Sequence, residues 1–193
     1  MAYAMILGKL SDTGILIVLV NSEPSRICSE VATADEVQRM KHEITVLMDI
    51  SVKEWIVGGH SLGGMVSSSL FIRKSTTNLS TAEAHSIRRL VQFATPDFYN
   101  LSSSKGLQSV LRVQGTCDGI CAPFDNGIEY TKKKLPPDCE YKLECIEGGN
   151  HAGFAHYGPQ VFPIPDLDRK AITLDQQQQQ IIKVTSRYIL GGK

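Results

Sequence analysis

The chain has no excess of charge of either sign. Twenty Lys and Arg balance twenty Asp and Glu over 193 residues. Without a basic surplus there is no electrostatic footing for nucleic acid or for an anionic membrane surface. Long hydrophobic runs are missing too. The longest, Ile15 to Val20, is far too short to span a bilayer. The apolar start, Met1 to Leu10, has no basic lead-in and is interrupted by Gly8 and Lys9, so it does not read as a signal peptide. Cysteine occurs in an odd number: Cys28, Cys117, Cys121, Cys139 and Cys145. That is no disulfide framework, and it points to a reducing compartment, with the cytoplasm expected and an organelle left open. The sequons at Asn78 and Asn100 would matter only in a secreted chain. No internal repeat, no linker and no lid-sized insertion is visible, so residues 1–193 are expected to form one domain.

What is present reads as ordinary globular protein, 42% hydrophobic and 21% charged. Tyr3 to Leu10 has apolar residues at helical spacing. Ile15 to Val20 is a continuous aliphatic run of the kind found in a buried parallel strand. Ala34 to Met48 reads as an amphipathic helix, with Val37, Met40, Lys41, Ile44 and Met48 near one face. Strands are predicted at Glu54–Gly58, Arg89–Ala94, Ser109–Gln114 and Tyr141–Glu147, and helices at Gly63–Ile72, Ile128–Lys134 and Leu174–Leu190. The five-Gln run, Gln176 to Gln180, suits the last helix. Strands alternating with helices imply an α/β fold, a mostly parallel sheet with helices on both faces. Ligands of such sheets bind beyond the carboxyl ends of the strands.

Chemistry concentrates at three of those ends. Gly59-His60-Ser61-Leu62-Gly63 matches Gly-x-Ser-x-Gly, which sets a Ser on a tight strand-to-helix turn between residues without side chains. A Ser hydroxyl is a poor nucleophile at neutral pH and needs a base. A His takes its proton and later returns it, and a carboxylate holds the His in the right tautomer. Ser61, Asp118 and His151 follow strands in that order and are the predicted catalytic residues. Asp97 is the reserve acid and Asp125 a weaker one. The N–H of Leu62, at the start of the helix, is the expected first oxyanion donor. Cys117-x3-Cys121 near His151 lacks a second close ligand pair, so no metal is expected. His60 reads as a spacer pointing away from the substrate. Lys132 to Lys134 reads as a solvated helix end.

Val57-Gly58-Gly59-His60-Ser61-Leu62-Gly63-Gly64, Gly115-Thr116-Cys117-Asp118-Gly119 and Ile146-Glu147-Gly148-Gly149-Asn150-His151-Ala152-Gly153-Phe154 carry a resemblance. So do Ala2-Tyr3-Ala4, Tyr157-Gly158-Pro159-Gln160 and the Gln-rich start of the last helix. The sequence resembles the α/β-hydrolase fold-5 group, distant relatives of the dienelactone hydrolases. The resemblance implies a Ser61–Asp118–His151 triad, no cofactor and a small-molecule substrate with an ester-like bond. Dienelactone hydrolases carry Cys where Ser61 stands here. In similar proteins a strand and a Pro-Gly-Gly-type loop precede the Ala-Tyr-Ala segment and supply the second oxyanion donor, so the chain is expected to be short at its N-terminus. Ile15–Val20 then aligns with the fourth strand of the fold, and the missing third strand would leave a gap beside the elbow strand. Direct pairing across the gap, filling by Met1–Leu10, or an incomplete chain are the three outcomes. Loss of one oxyanion donor costs ~10²–10³ in kcat. The reading is a serine hydrolase of carboxylesterase type. Its rivals are an impaired hydrolase-like binding protein or fragment, and an acyltransferase using the same residues.

Overall fold

A computed structural model describes residues 2–20, 37, 39–73, 87–96, 99–121, 127–158, 160–161, 165 and 170–191. Its centre is a four-stranded parallel sheet with its strands in sequential order: β1 (Trp55–His60), β2 (Ile87–Phe93), β3 (Ser109–Gly115) and β4 (Glu140–Ile146). Parallel neighbours need crossovers. The helices are α1 (Ala4–Ser11), α2 (Leu62–Arg73), α3 (Ile128–Lys133) and α4 (Leu174–Ile189). β3 is buried along its whole length, as a parallel strand covered on both faces should be.

The two-residue period of the strands splits the core into two layers. Val91, Leu111, Val113 and Ile146 point to one face, where Ile6 and Leu10 of α1 and Ile181 of α4 cover them. Leu90 and Val110 point to the other, against Phe71 of α2 and Leu135 after α3, and Ile87 joins them because the β1–β2 register shifts between Ile87 and Arg89. Each such side chain, fully buried, contributes about 1.5–3 kcal/mol. α4 is anchored at both ends. Thr173 and Gln176 form a reciprocal capping box at its start. At its end Arg89 donates to the carbonyls of Tyr188 and Ile189 while pairing with Glu54. α1 packs on α4.

Two expectations are corrected. Ile15–Val20 forms no strand; its backbone is irregular, and Leu16 and Leu19 are exposed. A strand is made by a hydrogen-bonded neighbour, and among the described residues β1 pairs only with β2. The run therefore neither pairs with β1 nor extends the sheet, and of the Met1–Leu10 segment the described residues 2–10 do not enter the sheet either, since α1 is helical. Only Ile17 of the run packs against the core. The predicted helix ending at Met48 widens into a π-helical turn, Glu43–Leu47, closed by the Met48 N–H on the Glu43 carbonyl. The wider turn leaves Ile44 buried and turns Met48 out to solvent. The start of that helix at Ala34, the reserve acids Asp97 and Asp125, and Cys28 lie outside the described residues. Among the described residues no disulfide joins Cys117, Cys121, Cys139 or Cys145 to another of them. Among the described residues, no helix is long and apolar enough to cross a membrane.

Candidate active site

β1 ends at His60 and α2 begins at Leu62, so Ser61 alone makes the turn between them. Its φ is +54°, a left-handed value that costs a non-glycine residue about 1–3 kcal/mol. The surroundings enforce it. The Ser61 N–H donates to the Phe93 carbonyl at 2.9 Å, and its own carbonyl accepts from Gly64 and Met65. Strand and helix approach so closely that a Cβ on Gly59 would strike the Gly63 backbone. This is the physical content of the Gly-x-Ser-x-Gly spacing. Behind the elbow, Ser68 bonds the Gly64 carbonyl and receives Gln92 of β2, fastening α2 to the sheet.

The loops after β3 and β4 are joined backbone to backbone. Thr116 N–H donates to the Ile146 carbonyl at 3.1 Å and Cys117 N–H to the Gly149 carbonyl at 2.8 Å. A side chain on Gly115 would occupy the space of that Gly149 carbonyl. The junction brings Asp118 to His151: Nδ1 of the imidazole lies 3.0 Å from Oδ2, and both side chains are almost wholly buried. The other carboxylate oxygen accepts the N–H groups of Ile120 and Cys121 at 2.9 and 2.8 Å. Burial alone would raise the Asp118 pKa. The His151 hydrogen bond and charge, with the two N–H bonds, outweigh it and hold the carboxyl below its ordinary value. Asp118 is therefore a carboxylate near neutral pH, bonded to the nitrogen of His151 that must carry a proton if the other is to act as a base.

That other nitrogen, Nε2 of His151, is buried and has no hydrogen-bond partner among the described residues. Ser61 is thus not hydrogen-bonded to His151 in this structure. Unliganded catalytic hydrogen bonds are commonly long and tighten with substrate. The Leu62 N–H opens α2, in the first turn, whose donors have no intrahelical acceptor. Among the described residues no strand precedes β1, so the loop that would supply a second donor has no counterpart there.

Sequence reasoning missed two participants. His60 does not point away from the site. Its ring lies 4.6 Å from the His151 ring and is nearly parallel to that of Phe154 at 5.6 Å. Ile56 packs on the α1/α4 face, and residues 58 and 60 share that face by strand alternation, so the signal was in the sequence. Gln177 clamps the His151 loop. Its carboxamide accepts from the Asn150 N–H at 3.1 Å and donates to the Asn150 carbonyl at 2.8 Å. Gln177, Ile181 and Thr185 recur at four-residue spacing and are all buried, a periodicity that marks Gln177 as an inward residue of the Gln run.

One group of side chains has metal-ligating chemistry. Among the described residues, Asp118, Cys121 and His151 bring one ligand atom each within 4.8 Å of one another. Those atoms already satisfy each other and the backbone: Cys121 Sγ donates to the Ala94 carbonyl at 2.9 Å, and Nδ1 is bonded to Asp118. The donor set fits a hydrogen-bonded acid–base pair better than an ion.

A parallel sheet with a strained Ser at a strand-to-helix elbow, and a His–Asp pair on the loops of the last two strands, has the architecture of an α/β-hydrolase. The model of the alpha/beta hydrolase family matches residues 1–180. The chain belongs to that family of enzymes. No match is found among curated proteins. Among solved structures it is similar to a protein of unknown function from Agrobacterium tumefaciens (TM-score 0.52, 15% identity, 90% of this chain and 65% of that one). It is similar also to an alpha-beta serine hydrolase homologue from Coxiella burnetii (0.52, 12%, 95% and 75%). A third is a thermophilic esterase from Thermogutta terrifontis (0.50, 12%, 82% and 63%). The chain therefore spans just under two thirds of the Agrobacterium and Thermogutta proteins. At these identities the likeness concerns the fold.

Proposed function

We propose that this chain is a serine hydrolase of carboxylesterase type, acting on a small-molecule ester or related acyl compound. Ser61 attacks the carbonyl carbon, and His151 Nε2 takes the hydroxyl proton as the bond forms. Asp118 keeps the Nδ1 proton in place and stabilises the imidazolium. The Leu62 N–H and the start of α2 favour the developing oxyanion. His151 then protonates the leaving alcohol, and water, deprotonated by the same nitrogen, releases the acyl group and frees Ser61. No cofactor enters these steps.

The observation that carries this reading is the buried 3.0 Å Asp118–His151 pair at the sheet edge where Ser61 sits in a left-handed conformation. A buried, ionised carboxylate bonded to one imidazole nitrogen, with the other nitrogen unpartnered, is an acid–base device awaiting a proton donor. The test is turnover of p-nitrophenyl acetate by the wild type and by Ser61→Ala. Saturable hydrolysis lost in the variant supports the reading; equal rates in the two proteins sink it. Product analysis with added alcohols distinguishes hydrolysis from acyl transfer.

A further inference from the structure

Asp118 holds His151 at one atom. A single hydrogen bond fixes that atom but leaves the imidazole plane free to turn, so something must hold the face of the ring. The structure supplies His60, at a ring separation of 4.6 Å and an interplanar angle of 43°. His60 is in turn held from three sides. Phe154 stacks on it, Tyr157 lies 6.1 Å away, and the Tyr3 hydroxyl is 2.9 Å from its Nδ1. Tyr3 sits at the entrance to α1, and the residue before it, Ala2, accepts the His156 N–H at 2.7 Å. The segment leading into α1 is thus tied both to the last residue of the elbow strand and to the loop that carries His151.

We propose that Tyr3 and His60 are positioning residues of the hydrolytic site: the Tyr3 hydroxyl donates to Nδ1 of a neutral His60 and fixes that ring as the wall that keeps the His151 imidazole in its working orientation. The proposal rests on the reading of His151 as the general base. The chemistry suits the task. Burial raises the Tyr3 pKa, so its hydroxyl remains a donor. Burial, with His151 beside it, pushes His60 down to about 3, outweighing the pull of Asp118 and the His151 backbone toward protonation. His60 therefore adds no second positive charge next to an imidazole that must become cationic during catalysis. A phenylalanine would give the same wall but could not be pinned by Tyr3.

The test compares Tyr3→Phe, which removes one hydroxyl, with His60→Ala, which removes the wall. Kcat and KM are measured with p-nitrophenyl acetate, and imidazole ¹⁵N–¹H correlations report the tautomer and environment of both histidines. Tyr3→Phe is expected to lower kcat by about 3- to 10-fold, the worth of one hydrogen bond, with KM little changed. The His151 ring resonances are expected to shift or broaden. His60→Ala should exceed both effects; if it does not fold, Tyr3→Phe decides alone. A drop in melting temperature with wild-type kcat and wild-type His151 resonances would overturn the proposal and leave the contact merely structural. The spectroscopic arm needs no turnover. Should the wild type hydrolyse nothing while Tyr3→Phe still moves the His151 signals, the hydrolase reading fails and the positioning contact stands.

Discussion

Replacing His60 by Gln removes a titratable group that the fold holds uncharged. In the unfolded chain its pKa returns to the ordinary 6.5, while in the folded protein burial lowers it to about 3. As the pH falls below 6.5 the unfolded state takes up a proton that the folded state refuses. Stability is then fully present above 6.5 and drains away until the pH reaches the folded value. The slope from one such group is about 1.4 kcal/mol per pH unit, so the loss between pH 6.5 and pH 4 is on the order of 3 kcal/mol. That is a large part of the ~5–15 kcal/mol that holds a domain together. The titratable groups facing His60 are Tyr3, Tyr157, His151 and, by its charge, Asp118. Asp118 has a lowered pKa, so its contribution is intact above its ordinary value of 3.8 and is lost only at lower pH, outside this window. Urea unfolding at pH 7, 6, 5 and 4 measures the effect. The wild type should lose stability steeply over this range, and His60→Gln, whatever its stability at pH 7, should follow a curve flatter by about 3 kcal/mol. Parallel curves for the two proteins would refute the reasoning, because they would mean His60 titrates normally in the folded chain.

Asp118→Asn should fold, because a carboxamide oxygen can still accept the Ile120 and Cys121 N–H groups. Its NH₂ would then face Nδ1 and force the proton onto Nε2, lowering kcat by about 10⁴, measured with p-nitrophenyl acetate. Gln177→Leu removes the two Gln177 hydrogen bonds to the Asn150 N–H and carbonyl in a buried loop. It should cost about 2–4 kcal/mol in urea unfolding and lower kcat, because the loop carries His151. Gly64→Ala would drive a methyl into the Thr95 hydroxyl and the Gly59 carbonyl, and is expected to destabilise by about 1–3 kcal/mol or more in the same assay.

The sequence announced those elements whose partners are near in the chain or whose pattern is self-sufficient. All four strands of the sheet fall within a few residues of their predicted bounds, and β3, with its β-branched and aliphatic residues, is buried along its whole length. Ile15–Val20 has the same composition and forms no strand. Composition says that a run is apolar; pairing requires a neighbour that no local pattern encodes. Ser61, Asp118 and His151 could be picked out as candidates because glycines flank them at positions where loops must touch. Their mutual geometry was not, since the 3.0 Å contact between Asp118 and His151 depends on the Gly115–Gly149 approach across 34 residues. His60 reads as a spacer pointing away from the substrate, and Gln177 only as one residue of a helical Gln run; strand and helix periodicity set both inward. Buried polar side chains are tolerated where they satisfy specific partners, and these two serve the loop that bears His151.

Ser61 is the proposed nucleophile, activated by the Asp118–His151 pair. The direct measurement is incubation with a fluorophosphonate, which reacts with activated serines, followed by mass mapping of the adduct. One phosphonyl group is expected on the peptide containing Ser61, formed much more slowly in Asp118→Asn. No adduct on the folded protein, or an adduct on any other residue with Ser61 unmodified, would contradict it.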